Sequence, residues 1–228
     1  MPDDRAPGLA APLHPRDFAA VLFDMDGTLV DSEPIWFAVL RTVVPEFGGD
    51  LPADAHGALH GSDRSTTTRI LQERFGLTGD PAAFWTRVVE RLVVDLAHAR
   101  PMPNASVWVE AVVTAGRARA VVSNSPRAMV EASLAPHAWA RHLEVRVAIE
   151  DVDRGKPHPD SYLLAAHRLG IEARDALIVE DSEAGARAAI AAGATVLFVT
   201  NGVVPDARAR AITPHVVERL PAIDASTT

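Results

Sequence analysis

The stretch "AAVLFDMDGTLVDSE", residues 19–33, decides how this chain folds. It runs an apolar segment, residues 19–23, straight into two carboxylates, Asp24 and Asp26, and then a glycine, Gly27. The segment shows no alternation of apolar and polar positions, which is the pattern of a strand buried on both faces of a parallel sheet. Carboxylates one residue apart repel each other, and neither residue type favours a strand. Either the strand ends in a polar turn with unfavourable neighbours, or something positive sits at its carboxyl end.

Three further runs share the pattern: "ARAVV" (118–122), "ALIV" (176–179) and "TVLFV" (195–199). Between them lie segments with helix punctuation. "SPRAMVEASLA" is expected to open with Ser125 as N-cap and Pro126 as first helical residue. "HPDSYLLAAHRLG" has Pro159 near its start and Gly170 at its stop. "DSEAGARAAIAAG" opens on Asp181 or Ser182 and halts at Gly193. Strands alternating with helices predict an α/β fold, a Rossmann-like parallel sheet with helices on both faces.

Residues 34–100 break this rhythm. "PIWFAVLRTVVPEF", "DRSTTTRILQERFG" and "DPAAFWTRVVERLVVDLAHA" carry apolar residues at helical spacing, with no strand between them. They predict an inserted all-helical cap domain over 34–100, with the α/β core made of 18–33 and 101–228. "RPMPN" (100–104) reads as the returning hinge, and its partner falls near Asp31 to Pro34. The acidic, proline-containing residues 1–17 read as a loose arm.

Composition narrows the function. The 228 residues are 48% hydrophobic, ample for a buried core. A net charge of −8 leaves no basic stripe for a nucleic acid. No run approaches the roughly 18–20 apolar residues of a membrane helix, and residues 1–17 lack the pattern of a secretory signal. Cysteine is absent, which removes disulfides and thiolate chemistry and makes the cytoplasm the default. A monomer is expected, since no heptad seam is present. Of the 22 basic residues one is a lysine, Lys156, and the other 21 are arginines.

The polar residues gather where ligands bind. Asp24 and Asp26 follow the first strand, Ser123 and Asn124 the second, and Glu180 and Asp181 the third. In open parallel sheets the carboxyl edge is the ligand edge. Carboxylates at that density require a cation, and hard oxygen donors suit Mg²⁺. A divalent ion with a lysine in turn neutralises a phosphate, to which a hydroxyl and free amides at helix starts donate hydrogen bonds. Gly27 allows the tight turn that faces amides to the ligand.

"DMDGTLVDSE", "VVSNSP", "RGKPHPD" and "VEDSEAG", in that order, resemble the four motifs of the haloacid dehalogenase superfamily. The resemblance runs from about Ala19 to Val204 and is strongest to the phosphotransferase members with a helical cap. It implies Asp24 as the nucleophile that forms an aspartyl-phosphate, and Asp26 as general acid and base. It implies Ser123 on the transferring phosphoryl group and Lys156 as charge balance for Asp24. It implies a metal held by Asp24, the Asp26 backbone carbonyl and Asp181, with Glu180 the next candidate ligand. Gly27, Thr28 and Asn124 stand as substrate contacts. The superfamily's carbon–halogen hydrolases lack the second aspartate of the first motif, so the presence of Asp26 disfavours dehalogenation. The implied activity is a Mg²⁺-dependent phosphomonoester hydrolase for a small phosphorylated metabolite, a sugar or polyol phosphate. The alternative is a hexose-phosphate mutase resembling beta-phosphoglucomutase; residues 34–100 hold no lysine, which favours the hydrolase.

Other polar residues have plainer roles. Asp31 and Ser32 are expected to cap the first insert helix, Asp153 and Arg154 to solvate a loop, and His158 to begin a helix. The nine histidines show no ligand spacing, against a zinc site. Trp36, Trp85, Trp108 and Trp139 read as packing. Asp63 and Arg64 begin a cap helix, and Arg64 is the candidate to reach the substrate from the cap, with His60 and Ser62 less so.

Overall fold

The computed structural model describes residues 13–59, 62 and 64–223. Its strands are β1 (Ala20–Phe23), β2 (Val30–Asp31), β3 (Arg100–Pro101), β4 (Ala118–Val122), β5 (Val145–Val147), β6 (Ala176–Glu180), β7 (Thr195–Val199) and β8 (Val216–Val217). The helices α1 (Glu33–Val43), α2 (His56–Leu59), α3 (Arg64–Phe75) and α4 (Pro81–Asp95) precede β3. After it come α5 (Ala105–Thr114), α6 (Arg127–Leu134), α7 (Asp160–Leu169), α8 (Glu183–Ala191) and α9 (Asp206–Arg210).

Six strands form one sheet in the order β5-β4-β1-β6-β7-β8, every neighbouring pair parallel. All four expected strands are in it. β1 lies between β4 and β6, with Phe23 opposite both Val121 and Val179. The sheet is apolar on both faces, so alternation is present but hidden. Val21 and Phe23 join the apolar cluster that holds Trp108 and Val109 of α5 and Met129 and Val130 of α6. Ala20 and Leu22 join a second, where Tyr162 and Ala165 of α7 meet Ala186 and Ala189 of α8. β5 and β8 escaped the sequence reading. β5 is the three residues "VRV", with a polar centre suited to an edge, and β8 is only two residues long.

Between β2 and β3 the described residues hold helices and short 3₁₀ turns and no strand. α4 shows why. The Asp80 carboxylate accepts from the Ala82 and Ala83 amides at 3.1 and 3.2 Å, and Phe84, Val88 and Leu92 recur every four residues on the buried face. β2 and β3 pair antiparallel, Val30 with Pro101 and Asp31 with Arg100, so both ends of the helical segment lie side by side at the expected hinge positions.

Three local expectations change. Ser32 is the N-cap of α1 but makes no side-chain capping bond. α6 starts at Arg127, with Pro126 as N-cap, one position later than expected; the Glu150 carboxylate meets the Arg127 amide at 2.9 and 3.0 Å. Both serines are engaged elsewhere, as described below. Residues 13–17 are not loose: Leu13 packs on the core, and Arg117 donates to the Arg16 carbonyl at 2.7 Å. Residues 1–12 of the expected arm, with His60 and Asp63, lie outside the described residues. Among the described residues no helix is long and apolar enough to cross a membrane.

Candidate active site

The sheet order brings the carboxyl ends of β4, β1 and β6 together. The Asp24 amide donates to the Val179 carbonyl at 2.9 Å, extending the β1–β6 ladder to the first aspartate. Beyond it the chain turns back sharply, with the Gly27 amide on the Val30 carbonyl at 2.9 Å. Gly27 has φ +75°, and a Cβ there would lie 2.0 Å from Asp181 Oδ2. Only glycine lets this turn approach Asp181.

Lys156 reaches the same place from the loop before α7. Its Nζ donates to Asp24 Oδ1 at 2.5 Å, Glu180 Oε1 at 2.6 Å and the Val122 carbonyl at 2.9 Å. An ammonium has three protons, and all three are used. Burial works against the Lys156 charge, but Asp24 and Glu180 outweigh it and push its pKa well above the ordinary lysine value. Arg154, expected with Asp153 to solvate the loop, grips Asp160 across it with two bonds of 3.0 Å.

Glu180 is fully buried. Its Oε1 accepts from Lys156 and from the Tyr162 hydroxyl at 2.7 Å. Its Oε2 accepts from the Asp181 and Ser182 amides at 3.1 Å each and the Ser182 hydroxyl at 2.9 Å. Five donors exceed the roughly four lone-pair sites of a carboxylate. Asp24, Glu180 and Asp181 can each bring one oxygen within 4.8 Å of the others, the spacing of a metal site. Proximity thus agrees with Glu180 as a ligand, whereas its hydrogen bonds leave it no open lone pair.

Asp24 and Asp181 are the open pair. Burial pushes the Asp24 carboxyl up to about 8; Lys156 opposes this, and Glu180 and Asp26 add to it. Burial, then Asp24 and Glu180, holds the Asp181 carboxyl well above the usual carboxylate range. One lysine does not balance these anions. An all-oxygen donor set short of positive charge fits a hard divalent cation.

Asp26 is held differently. Its Oδ1 accepts from the Ser32 hydroxyl at 2.7 Å, and its Oδ2 from the Ser123 and Ser125 hydroxyls at 3.1 and 2.8 Å. The sequence pointed to Ser123 as a contact of the phosphoryl group rather than of Asp26, and it missed the other two, because a serine before a helix looks like a cap. Asn201, after β7, was also missed: its side-chain amide donates to the Gly27 carbonyl at 2.7 Å.

Three expected substrate contacts sit otherwise. Asn124 spends both ends of its amide on the Lys156 backbone. Thr28 is buried with its hydroxyl unpartnered, and it does not line the cleft. Arg64 stacks over the Trp85 ring, 4.9 Å from its centre, instead of entering the cleft. An aromatic face attracts the guanidinium where the sequence shows only its spacing. The cleft itself, about 1080 Å³, is bounded by Asp26, Ser125 and Asp181 on the sheet side and Trp36, Leu59 and Leu92 on the helical side.

Residues 21–199 match the family model described as haloacid dehalogenase-like hydrolase. The chain is 32% identical over 182 residues to a fructose-1-phosphate phosphatase of Escherichia coli (strain K12), covering 77% of this chain and 93% of that one. It is 33% identical over 189 residues to hexitol phosphatase A of the same organism, covering 78% and 81%. Among solved structures it resembles a haloacid dehalogenase family hydrolase from Deinococcus radiodurans R1 with bound phosphate and sodium. That likeness has a TM-score of 0.69 at 31% identity and covers 89% of this chain and 91% of that one. The sequence match over most of the chain, joined to the Asp24–Lys156–Asp181 rim, places this protein in the haloacid dehalogenase-like hydrolase family.

Proposed function

We propose that the protein is a phosphomonoester hydrolase for a small sugar or polyol phosphate, working through Asp24. The observation that carries this reading is the buried Lys156 ammonium shared between Asp24 and Glu180, with Asp181 within 4.8 Å of both carboxylates. Its support from relatives is the pair of phosphatases named above, which by name act on fructose 1-phosphate and hexitol phosphates.

In this mechanism the Asp24 carboxylate attacks phosphorus in line, and the bond from phosphorus to the sugar oxygen breaks. Asp26 gives its proton to that oxygen. It then takes one from the water that attacks the aspartyl-phosphate, releasing phosphate and restoring Asp24. The Ser32, Ser123 and Ser125 hydroxyls orient the Asp26 carboxyl. Lys156 holds Asp24 in place and offsets charge on the transferring group. A magnesium ion held by Asp24, Asp181 and the Asp26 backbone carbonyl would supply charge neutralisation on the phosphoryl oxygens. Residues 34–100 act as a cap domain over a core of 18–33 and 101–228, excluding water and bulky phosphoproteins from the cleft. The cysteine-free chain suits a monomer in a reducing cytoplasm.

The test is phosphate release from a panel of sugar and polyol phosphates with Mg²⁺. Asp24→Asn should lower release by about 10⁴-fold or more, since the nucleophile is lost. Full activity in that variant, or no release by the wild type from any ester, would sink the reading. Interconversion of sugar phosphate isomers would favour the mutase instead.

A further inference from the structure

We propose that Asn124 is a positioning residue for Lys156, tying the loop after β4 to the loop that carries the lysine. The contact is reciprocal. The Lys156 amide donates to Asn124 Oδ1 at 2.9 Å, and Asn124 Nδ2 donates to the Lys156 carbonyl at 3.1 Å. A side-chain carboxamide here does what a backbone peptide does in a strand ladder, using donor and acceptor together.

The lysine is consequently gripped at both ends by one short piece of chain. Asn124 holds its backbone, and the Val122 carbonyl, two residues earlier, accepts from its Nζ at 2.9 Å. Between those two points the side chain is stretched across Asp24 and Glu180. Its ammonium has little freedom once the backbone is set. The fit is close on the other side too. A Cβ on Gly155 would lie 2.6 Å from Asn124 Oδ1 and 2.5 Å from Ile149 Cδ1, so a side chain there would displace the Asn124 carboxamide or Ile149.

Asn124 also stands between Ser123 and Ser125, two of the three serines whose hydroxyls donate to Asp26. Three consecutive residues thereby set the position of Lys156 and the orientation of Asp26 at once. A residue that touched only substrate would not need to spend both amide ends on the lysine's backbone. The catalytic half of this inference rests on the phosphatase reading; the structural half does not.

Lys156 is the chain's single lysine, so ¹⁵N-lysine labelling of the full-length protein gives one backbone amide signal to follow. In Asn124→Ala, hydrogen exchange of that amide should speed up about tenfold or more, because its acceptor is gone. With a sugar phosphate that the wild type hydrolyses, kcat should fall about tenfold while KM stays within about twofold, the mark of a misplaced lysine. Gly155→Ala attacks the same contact from the opposite side and should shift both readouts the same way, which keeps the test alive if Asn124→Ala does not fold. Unchanged exchange in the folded variants would overturn the proposal. So would a KM raised several-fold at constant kcat, which would return Asn124 to the substrate. If the wild type hydrolyses nothing, the phosphatase reading fails and the exchange rate alone still decides the contact.

Discussion

At the carboxyl rim of the sheet, ion pairs join residues far apart in the chain: 132 positions separate Lys156 from Asp24, and 24 separate it from Glu180. All three side chains are buried. On the helices that precede β3 the pairs Arg69–Glu73, Arg87–Glu90 and Arg91–Asp95 join neighbours three or four positions apart and remain largely in water. Among the described residues Arg87–Glu46 spans the helical segment over 41 positions, and His56 meets Glu33 from α2 to α1; these pairs too are exposed. The contrast separates charge kept for position from charge kept for solubility. Burying a charged group costs several kcal/mol unless its partners are in place, so a fold retains such a cluster only where something depends on it.

The sharpest way to break that comparison is Lys156→Met. Removing the one cation strands Glu180 and Asp24 in the interior, and urea unfolding should report a loss of about 3–5 kcal/mol. An unchanged midpoint would mean that the rim is no different from the helix surfaces.

The rim should also respond to pH in a way the helices do not. Burial raises Asp24 from 3.8 in the unfolded chain to about 8 in the fold. Between those values the folded state binds more protons than the unfolded one, so stability is greatest at the acid end of the window and falls as pH rises toward 8. Urea midpoints in chelator at pH 5 and pH 8 should show this decline. Added Mg²⁺ should flatten it by taking the place of the proton. A midpoint that climbs with pH in chelator would contradict the charge balance described here.

Crowding around Glu180 gives a smaller effect. A Cβ on Gly185 would fall 1.6 Å from Glu180 Oε1, so Gly185→Ala must push the carboxylate off its donors. A loss of about 1–3 kcal/mol is expected, read as a lowered denaturation midpoint. Smallest of all is Arg69→Ala. Its pair with Glu73 is solvated on both sides, and the midpoint should stay within measurement error.

Much of the architecture was legible before any coordinates. The runs at 19–23, 118–122, 176–179 and 195–199 stood out because strands buried on both faces read as near-continuous apolar stretches. β5 and β8 did not, since an edge strand with Arg146 at its centre and a two-residue strand carry no such signature. At the site, Asp24, Asp26, Ser123, Lys156 and Asp181 were found by residue type and place, and they do meet. Ser32 and Ser125 were read as helix caps because a hydroxyl just before a helix has that default use; here each donates to Asp26 instead. Arg64 was spaced correctly for the cleft but lies on Trp85.

The sequence alone determined which strands are internal and which of their ends carries charge, because continuous apolarity and an abrupt carboxylate are properties of a few adjacent residues. The tertiary structure alone decided how those polar groups divide their hydrogen bonds: Glu180 on Lys156, Tyr162 and the Asp181 and Ser182 amides, Asp26 on three serines, Asn124 on the lysine's backbone. Such choices turn on tenths of an ångström between side chains as many as 132 positions apart, and no local pattern encodes a distance of that kind.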